Sequence, residues 1–207
     1  MQKVSECPII VFGIQIILTF WHVIYSERTL SVGGDILARE DELFKRLNNG
    51  DHTALDELIR IYYPEILRYC LWHTSNRQTA EDAAQETFLK AVRYLDGYAH
   101  QGKFRAYLYK IAVNTCTDVW RQNKNPVPSA SEQYIESGFE QAESDISMKK
   151  LLGTLPDRQR ELVILRYVHG FKIREISDIL HEPLRTVQSR LRTAIKTLEK
   201  NLARGDS

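Results

Sequence analysis

The chain has 207 residues, of which 43% are apolar and 27% charged, and a net charge of +1. That balance suits a globular protein with a buried core and excludes a disordered acidic tail or a disulfide-stapled miniprotein. Cys7, Cys70 and Cys116 are far apart in sequence and make neither a disulfide framework nor a zinc pattern. Cys70 and His73 can share a helix face, which by itself reads as packing. No Gly-rich phosphate loop, nucleophile elbow or HExxH run is present, and acids and histidines are scattered. The sequence therefore offers no catalytic constellation, no metal site, no cofactor and no small-molecule substrate.

Charge is unevenly placed along the chain. Residues 1–35 carry −1, residues 36–122 carry 0, residues 123–147 carry −4 and residues 148–207 carry +6. A neutral block, an acidic spacer and a basic block suggest two domains and a linker, the second domain being drawn to a polyanion. The first 35 residues form a hydrophobic extension. Its run at 8–25, PIIVFGIQIILTFWHVIY, is short of the roughly 20 apolar residues a membrane span needs and is interrupted by Gln15 and His22. A secretory signal would want a basic start and a small-residue cleavage site, and only Lys3 precedes the run. Ser26 to Thr29 can be encoded by a purine-rich, ribosome-binding-like run, and Leu30 and Val32 by alternative start codons. We therefore expect translation to begin near Val32, with a membrane anchor as the competing reading.

From Ile36 to Gln122 the apolar spacing is helical almost throughout. Helices are expected over 42–47 and 54–71, broken by Asn48-Asn49-Gly50-Asp51. Thr79, with Asp82 three residues on, resembles a capping box before AEDAAQETFLKAVRYL. Asp96 to Gly102 reads as a loop, and FRAYLYKIAVNTCTDVWRQ as the next helix. Leu108, Ile111, Ala112, Thr115 and Val119 share one face of that helix. Lys110, Asn114, Thr117, Asp118 and Arg121 share the opposite one. Lys103, Arg105 and Lys124 flank this polar face, and Tyr107, Tyr109 and Trp120 lie among the charges. Basic groups interleaved with aromatics suit single-stranded DNA, although most such rings simply pack.

Residues 123–147 hold two prolines, five serines and five acids, the composition of a flexible linker. Helical spacing resumes at Met148. MKKLLGTL is a short segment, Pro156-Asp157 starts RQRELVILRYV, and His169-Gly170 breaks it. KIREISDIL, a tight turn at His181-Glu182 and a long basic helix follow. In that last helix Val187, Leu191, Ala194, Ile195, Leu198 and Leu202 recur on one face, while Arg185, Gln188, Ser189, Arg192 and Lys196 project from another. Two helices around a tight turn, the second one basic, form the helix-turn-helix pattern. In that geometry Gln188 suits adenine edges, Arg192 suits guanine, and Arg185, Ser189 and Lys196 can take phosphates or bases.

LPDRQRELVILRYVHGFKIREISDIL followed by HEPLRTVQSRLRTAIKTL strongly resembles domain four of the extracytoplasmic-function (ECF) subfamily of bacterial RNA polymerase sigma factors. AEDAAQETFLKAV resembles region 2.2 of that family, and FRAYLYKIAVNTCTDVWRQ resembles regions 2.3 and 2.4. The likeness spans roughly 39–203. It implies an all-α fold of two small helical domains, with sigma domain 2 at 36–122 and sigma domain 4, containing the helix-turn-helix, at 148–207. It implies a cytoplasmic protein without catalysis of its own. The partners implied are core RNA polymerase, promoter DNA and an anti-sigma factor. On core polymerase, domain 2 would dock on the clamp of the largest catalytic subunit and domain 4 on the flap of the second subunit. Asp82, Gln85, Glu86, Phe88 and Leu89 would face polymerase. The loop 96–102 would hold a flipped base of the −10 element, and Lys103, Arg105, Tyr107, Lys110, Asn114, Asp118 and Arg121 would meet the −10 DNA. Arg185, Thr186, Gln188, Ser189, Arg192, Thr193 and Lys196 would meet the −35 duplex.

The chain departs from the family pattern in places. Tyr107 stands where the family usually has Trp, and Val113 where it often has a basic residue or Thr. Gln122-Asn123 replaces a run of arginines, and His181-Glu182 replaces small residues. A stand-alone helix-turn-helix regulator is the alternative reading, but it would have no need of the first block. For the N-terminus, peptide mapping of the native protein should yield nothing spanning Ile9–Tyr25; such a peptide would establish the longer chain.

Overall fold

The computed structural model describes residues 33–74, 76–123 and 148–205, and every regular element among them is helical. These residues fall into two compact units, one over 33–123 and one over 148–205. The hydrophobic run 8–25 and residues 124–147 of the acidic spacer lie outside the described residues.

The first unit consists of α1 (Gly33–Asn48), α2 (Thr53–His73), α3 (Arg77–Arg93) and α4 (Phe104–Asn123). Helix α2 packs against each of the other three, and α3 packs against α4. The break between α1 and α2 falls where the sequence placed it. Gly50 takes a left-handed φ of 87°. Asp51 accepts from the backbone N–H of Thr53 at 3.0 Å and from its hydroxyl at 2.6 Å, starting α2. Arg46 then joins Asp51 and Glu57 across the turn at 2.8 and 2.9 Å. Helix α3 starts earlier than the Thr79 reading. Its N-cap is Asn76, whose side-chain oxygen accepts from the Thr79 N–H at 2.8 Å. The cap needs a short acceptor three residues before the bonded N–H, and Asn76 supplies it, so Thr79 lies inside the first turn.

Small residues set the packing distances. Ala80, Ala83, Ala84 and Ala91 of α3 and Ala112 of α4 are all buried, so the two backbones can approach closely. Larger groups fill the centre: Leu58, Ile66 and Tyr69 from α2, Leu108 and Tyr109 from α4.

One polar group lies deep in this unit. Glu40 of α1 is 2% exposed. Its carboxylate accepts from the Tyr62 hydroxyl of α2 and, at 3.3 Å, from the backbone N–H of Phe104, the first residue of α4. A helix N-terminus leaves N–H groups unpaired, and a carboxylate there satisfies one of them and meets the positive end of the helix dipole. Glu40 thereby joins α1, α2 and α4.

The second unit starts with α5 (148–153), followed by α6 (Asp157–Val163), α7 (Ile173–Leu180) and α8 (Leu184–Gly205). Helix α6 continues into a wider turn over Ile164–Val168, where the His169 N–H reaches back five residues to the Ile164 carbonyl at 3.1 Å. Sequence periodicity gave no sign of this widening. It leaves Ile164, Leu165 and Val168 all buried. Gly170, at φ 70°, ends the segment. Helix α8 packs against α6 and α7 through Val187, Leu191, Ala194 and Leu198, four of the six residues assigned to its apolar face; Ile195 and Leu202 are half-buried.

Glu40→Ala should destabilise the first unit by about 2–4 kcal/mol, because it strands the Tyr62 hydroxyl and the Phe104 N–H in the interior. Urea unfolding followed by far-UV circular dichroism measures this. Glu40→Gln, which keeps an acceptor, should cost less.

Candidate nucleic-acid interface

Three surfaces carry the candidate residues. On α3, Asp82, Gln85 and Leu89 recur at three- and four-residue steps and are exposed, with Glu86 half-buried beside them. Leu89 is 61% exposed in a helix that also buries a core face. Val92 and Tyr94, also exposed, extend the apolar surface at the end of the helix; the sequence reading did not single them out. The i, i+3 spacing of Leu89 and Val92, off the alanine face, was the available signal. Phe88 does not join this face. It is 7% exposed, and its ring stacks on Tyr63 with centroids 5.9 Å apart, since one helical step turns it towards α2.

The loop after α3 begins with a single 3₁₀ turn, Leu95–Gly97, and then runs irregularly to Lys103. It is held by rings. His100 stacks on Phe44 of α1 at 4.0 Å, and Tyr98 lies 4.6 Å from Tyr107 and 5.6 Å from both Phe44 and Phe104. The His100 imidazole also meets α1 through Nε2, 2.7 Å from Asp41 Oδ1. Burial, with the Glu40 carboxylate nearby, pushes the Tyr98 phenol up to about 12. The same two causes raise Tyr62 further, so both phenols keep their protons at any physiological pH. The anchors Phe44, Asp41 and Glu40 come from α1, some sixty residues earlier, and no local pattern pointed to them.

Helix α4 separates its candidates into two groups. Asn114, Asp118 and Arg121 are exposed and Lys110 is half-exposed, with Lys103 exposed just ahead of the helix. Arg105 points instead at α2: its Nε lies 2.7 Å from Glu65, and a second guanidinium nitrogen bonds to the same carboxylate oxygen. The Tyr109 hydroxyl donates to that oxygen at 3.0 Å, and Tyr109 is fully buried. Tyr107 packs between Tyr98 and Phe104 with its hydroxyl on the Ala91 carbonyl at 3.3 Å. Of the aromatics considered for stacking on bases, Tyr109 belongs to the interior, Tyr107 retains partial exposure, and the side chain of Trp120 lies outside the described residues.

A groove of about 390 Å³ runs between α3 and α4, lined by Glu86, Lys90, Thr115, Asp118, Val119 and Arg121. Lys90 bridges it, 3.5 Å from Glu86 and 3.3 Å from the Thr115 hydroxyl. The sequence assigned Glu86 to one partner and Asp118 and Arg121 to another; the fold gathers them around one groove.

The α7–turn–α8 segment has helix-turn-helix geometry. His181 ends α7 in the left-handed region, φ 52°, where Gly is usual. The turn is closed by side chains. The Ser177 hydroxyl donates to the Glu182 carbonyl at 2.6 Å, and Arg190 of α8 reaches both oxygens of the Glu182 carboxylate at 2.6 Å. That accounts for the departure at His181-Glu182, where an ion pair replaces a small residue as the fastener. Beyond the turn Arg185, Gln188, Ser189, Arg192, Thr193 and Lys196 are all exposed, and Thr186 is half-buried. Arg185, Arg192 and Lys196 form no ion pair among the described residues.

Comparison with known proteins agrees with both units. The family model described as Sigma-70 region 2 matches residues 58–125, and that described as Sigma-70, region 4, matches 146–198. The ECF RNA polymerase sigma factor SigM of Bacillus subtilis is 30% identical over 156 residues, 70% of this chain and 94% of SigM. The chain belongs to the ECF sigma factors. Among other members, the ECF sigma factor SigW of Bacillus subtilis is 29% identical over 176 residues, 76% of this chain and 94% of SigW. CnrH, solved with the cytosolic domain of CnrY, shares the fold with a TM-score of 0.62 at 20% identity, over 82% of this chain and 99% of CnrH. RpoE of Bartonella quintana, solved with the anti-sigma factor NepR, gives 0.59 at 23%, over 72% and 96%. As a sigma factor the protein acts in transcription initiation. No helix among its described residues is long and apolar enough to cross a membrane.

The positions of Phe88 and Leu89 give a direct check on the α3 face. Phe88→Ala should cost about 3–5 kcal/mol in urea unfolding, while Leu89→Asp should shift stability by no more than about 0.5 kcal/mol.

Proposed function

We propose that this sigma factor docks on core RNA polymerase through the outer face of α3 and reads a two-part promoter. In this reading the first unit is sigma domain 2 and the second is sigma domain 4. The observation that carries it is the α8 face: six exposed polar side chains in helix-turn-helix geometry, its cations unpaired among the described residues. Gln188, Ser189, Arg192, Thr193 and Lys196 meet the −35 duplex, with Arg185 and Thr186 near the phosphates at the N-terminal end. Asp82, Gln85, Glu86 and Leu89 form the docking face on the clamp of the largest subunit; domain 4 rests on the flap of the second. Loop 96–102 receives a base flipped from the −10 element. Lys103, Lys110, Asn114, Asp118 and Arg121 line the opened strand, while Arg105 supports α4 from within and Tyr107 backs the loop. An anti-sigma protein covers the exposed α3 and α8 faces when initiation is off, a reading supported by the fold shared with RpoE, which was solved bound to NepR. The protein works in the cytoplasm, where its polymerase partner is.

Run-off transcription with the purified chain, core polymerase and fragmented genomic DNA tests this. Specific transcripts should require both protein and core. DNA binding without core, with no transcripts when core is added, would make the chain a stand-alone regulator. In the same assay Arg192→Ala should weaken initiation from wild-type −35 sites by about 1–3 kcal/mol and relax base preference at one position. An equal loss on all −35 sequences would make Arg192 a phosphate contact.

A further inference from the structure

Two cysteines that are 46 residues apart in sequence meet inside the first unit. Cys70 of α2 and Cys116 of α4 are buried thiols whose sulfurs lie 3.7 Å apart. A disulfide needs the sulfurs at about 2.05 Å, so closure asks for about 1.7 Å of relative movement. Side-chain rotation and a small helix shift can supply that, and Ala112, one turn before Cys116 on α4, is a small buried side chain. Neither thiol has a part in promoter reading as proposed above, and the inference does not depend on that reading.

We propose that Cys70 and Cys116 form an oxidisable dithiol, a modification site whose substrate is a small hydroperoxide. Burial decides the class of oxidant. Cys70 has no solvent exposure and Cys116 is 3% exposed. A bulky disulfide such as oxidised glutathione is too large to reach a sulfur there, whereas a small hydroperoxide can enter during local opening. Cys116, the more exposed, reacts first. Its thiolate attacks a peroxide oxygen, the O–O bond breaks, and Cys116 becomes a sulfenic acid while the departing oxygen leaves as water or an alcohol. The Cys70 thiolate then attacks the Cys116 sulfur. The S–S bond forms, the S–O bond breaks, and hydroxide leaves as water with the proton from the Cys70 thiol. In sum two thiols and one hydroperoxide give one disulfide, one water and one water or alcohol. The product ties the last turn of α2 to the middle of α4.

The test uses the full chain carrying Cys7→Ser, so that Cys70 and Cys116 are the remaining cysteines. The folded protein is exposed to hydrogen peroxide, then denatured, alkylated and mapped without reductant. The expected result is loss of both alkylatable thiols, a fall in intact mass of about 2 Da, one peptide pair linked through Cys70 and Cys116, and full reversal by dithiothreitol. Oxidised glutathione should leave both thiols alkylatable. Adding Cys70→Ala should abolish the link and leave Cys116 to over-oxidise or remain a thiol. Persistence of both thiols in the peroxide-treated folded chain would overturn the proposal. So would a link that forms only in urea, or a glutathione adduct on the folded chain.

Discussion

The first unit depends on a single buried carboxylate. Glu40 satisfies the first N–H of α4 and the hydroxyl of Tyr62 together, and the Asp41 and Phe44 contacts with His100 follow on the same helix. A charge so deep is tolerated only when its oxygens are bonded. That requirement fixes where α4 begins, and so which of its side chains face outward. It also fixes the start of the loop's return path, since Tyr98 and His100 pack on rings from α1 and α4. The side of the unit proposed to meet DNA is thus positioned by contacts in the unit's interior.

The second unit solves its turn differently. The α7–α8 junction has no glycine at the left-handed position and no run of small residues. It is held by the hydroxyl of Ser177 and the Glu182–Arg190 pair. Arg190 is thus taken up by the turn, while Arg185, Arg192 and Lys196 on the exposed face form no ion pair among the described residues.

Much of this could be read from the chain. The apolar stripe of α8 and its polar face were legible because a 3.6-residue period reports burial directly, and the exposures of Val187 and Gln188 follow it. The break at Asn48–Asp51 and the loop after α3 were legible from turn chemistry. Four features were not. Glu40 sits in the run Arg-Glu-Asp-Glu and looks like any solvated acid; only its partners, 22 and 64 residues away, make it a cap. Arg105 carries the same charge as its neighbours but meets Glu65, and one-dimensional spacing cannot show which cation has a partner inside. Phe88 and Leu89 are equally apolar and adjacent, so composition could not decide which faces the core. The cysteines are the clearest case, since residues distant along the chain become neighbours only when α2 and α4 pack.

The exposed side chains of α8 have a further consequence. Gln188, Ser189, Arg192, Thr193 and Lys196 are exposed, while the core positions between them are held by Val187, Leu191 and Ala194. Replacing an outward residue on such a helix leaves the packing face untouched and changes mainly what the helix touches. In the proposed reading, recognition can therefore drift over evolutionary time through single substitutions without passing through an unfolded intermediate. A duplicated copy of this gene could acquire a new set of target genes while its scaffold stayed the same.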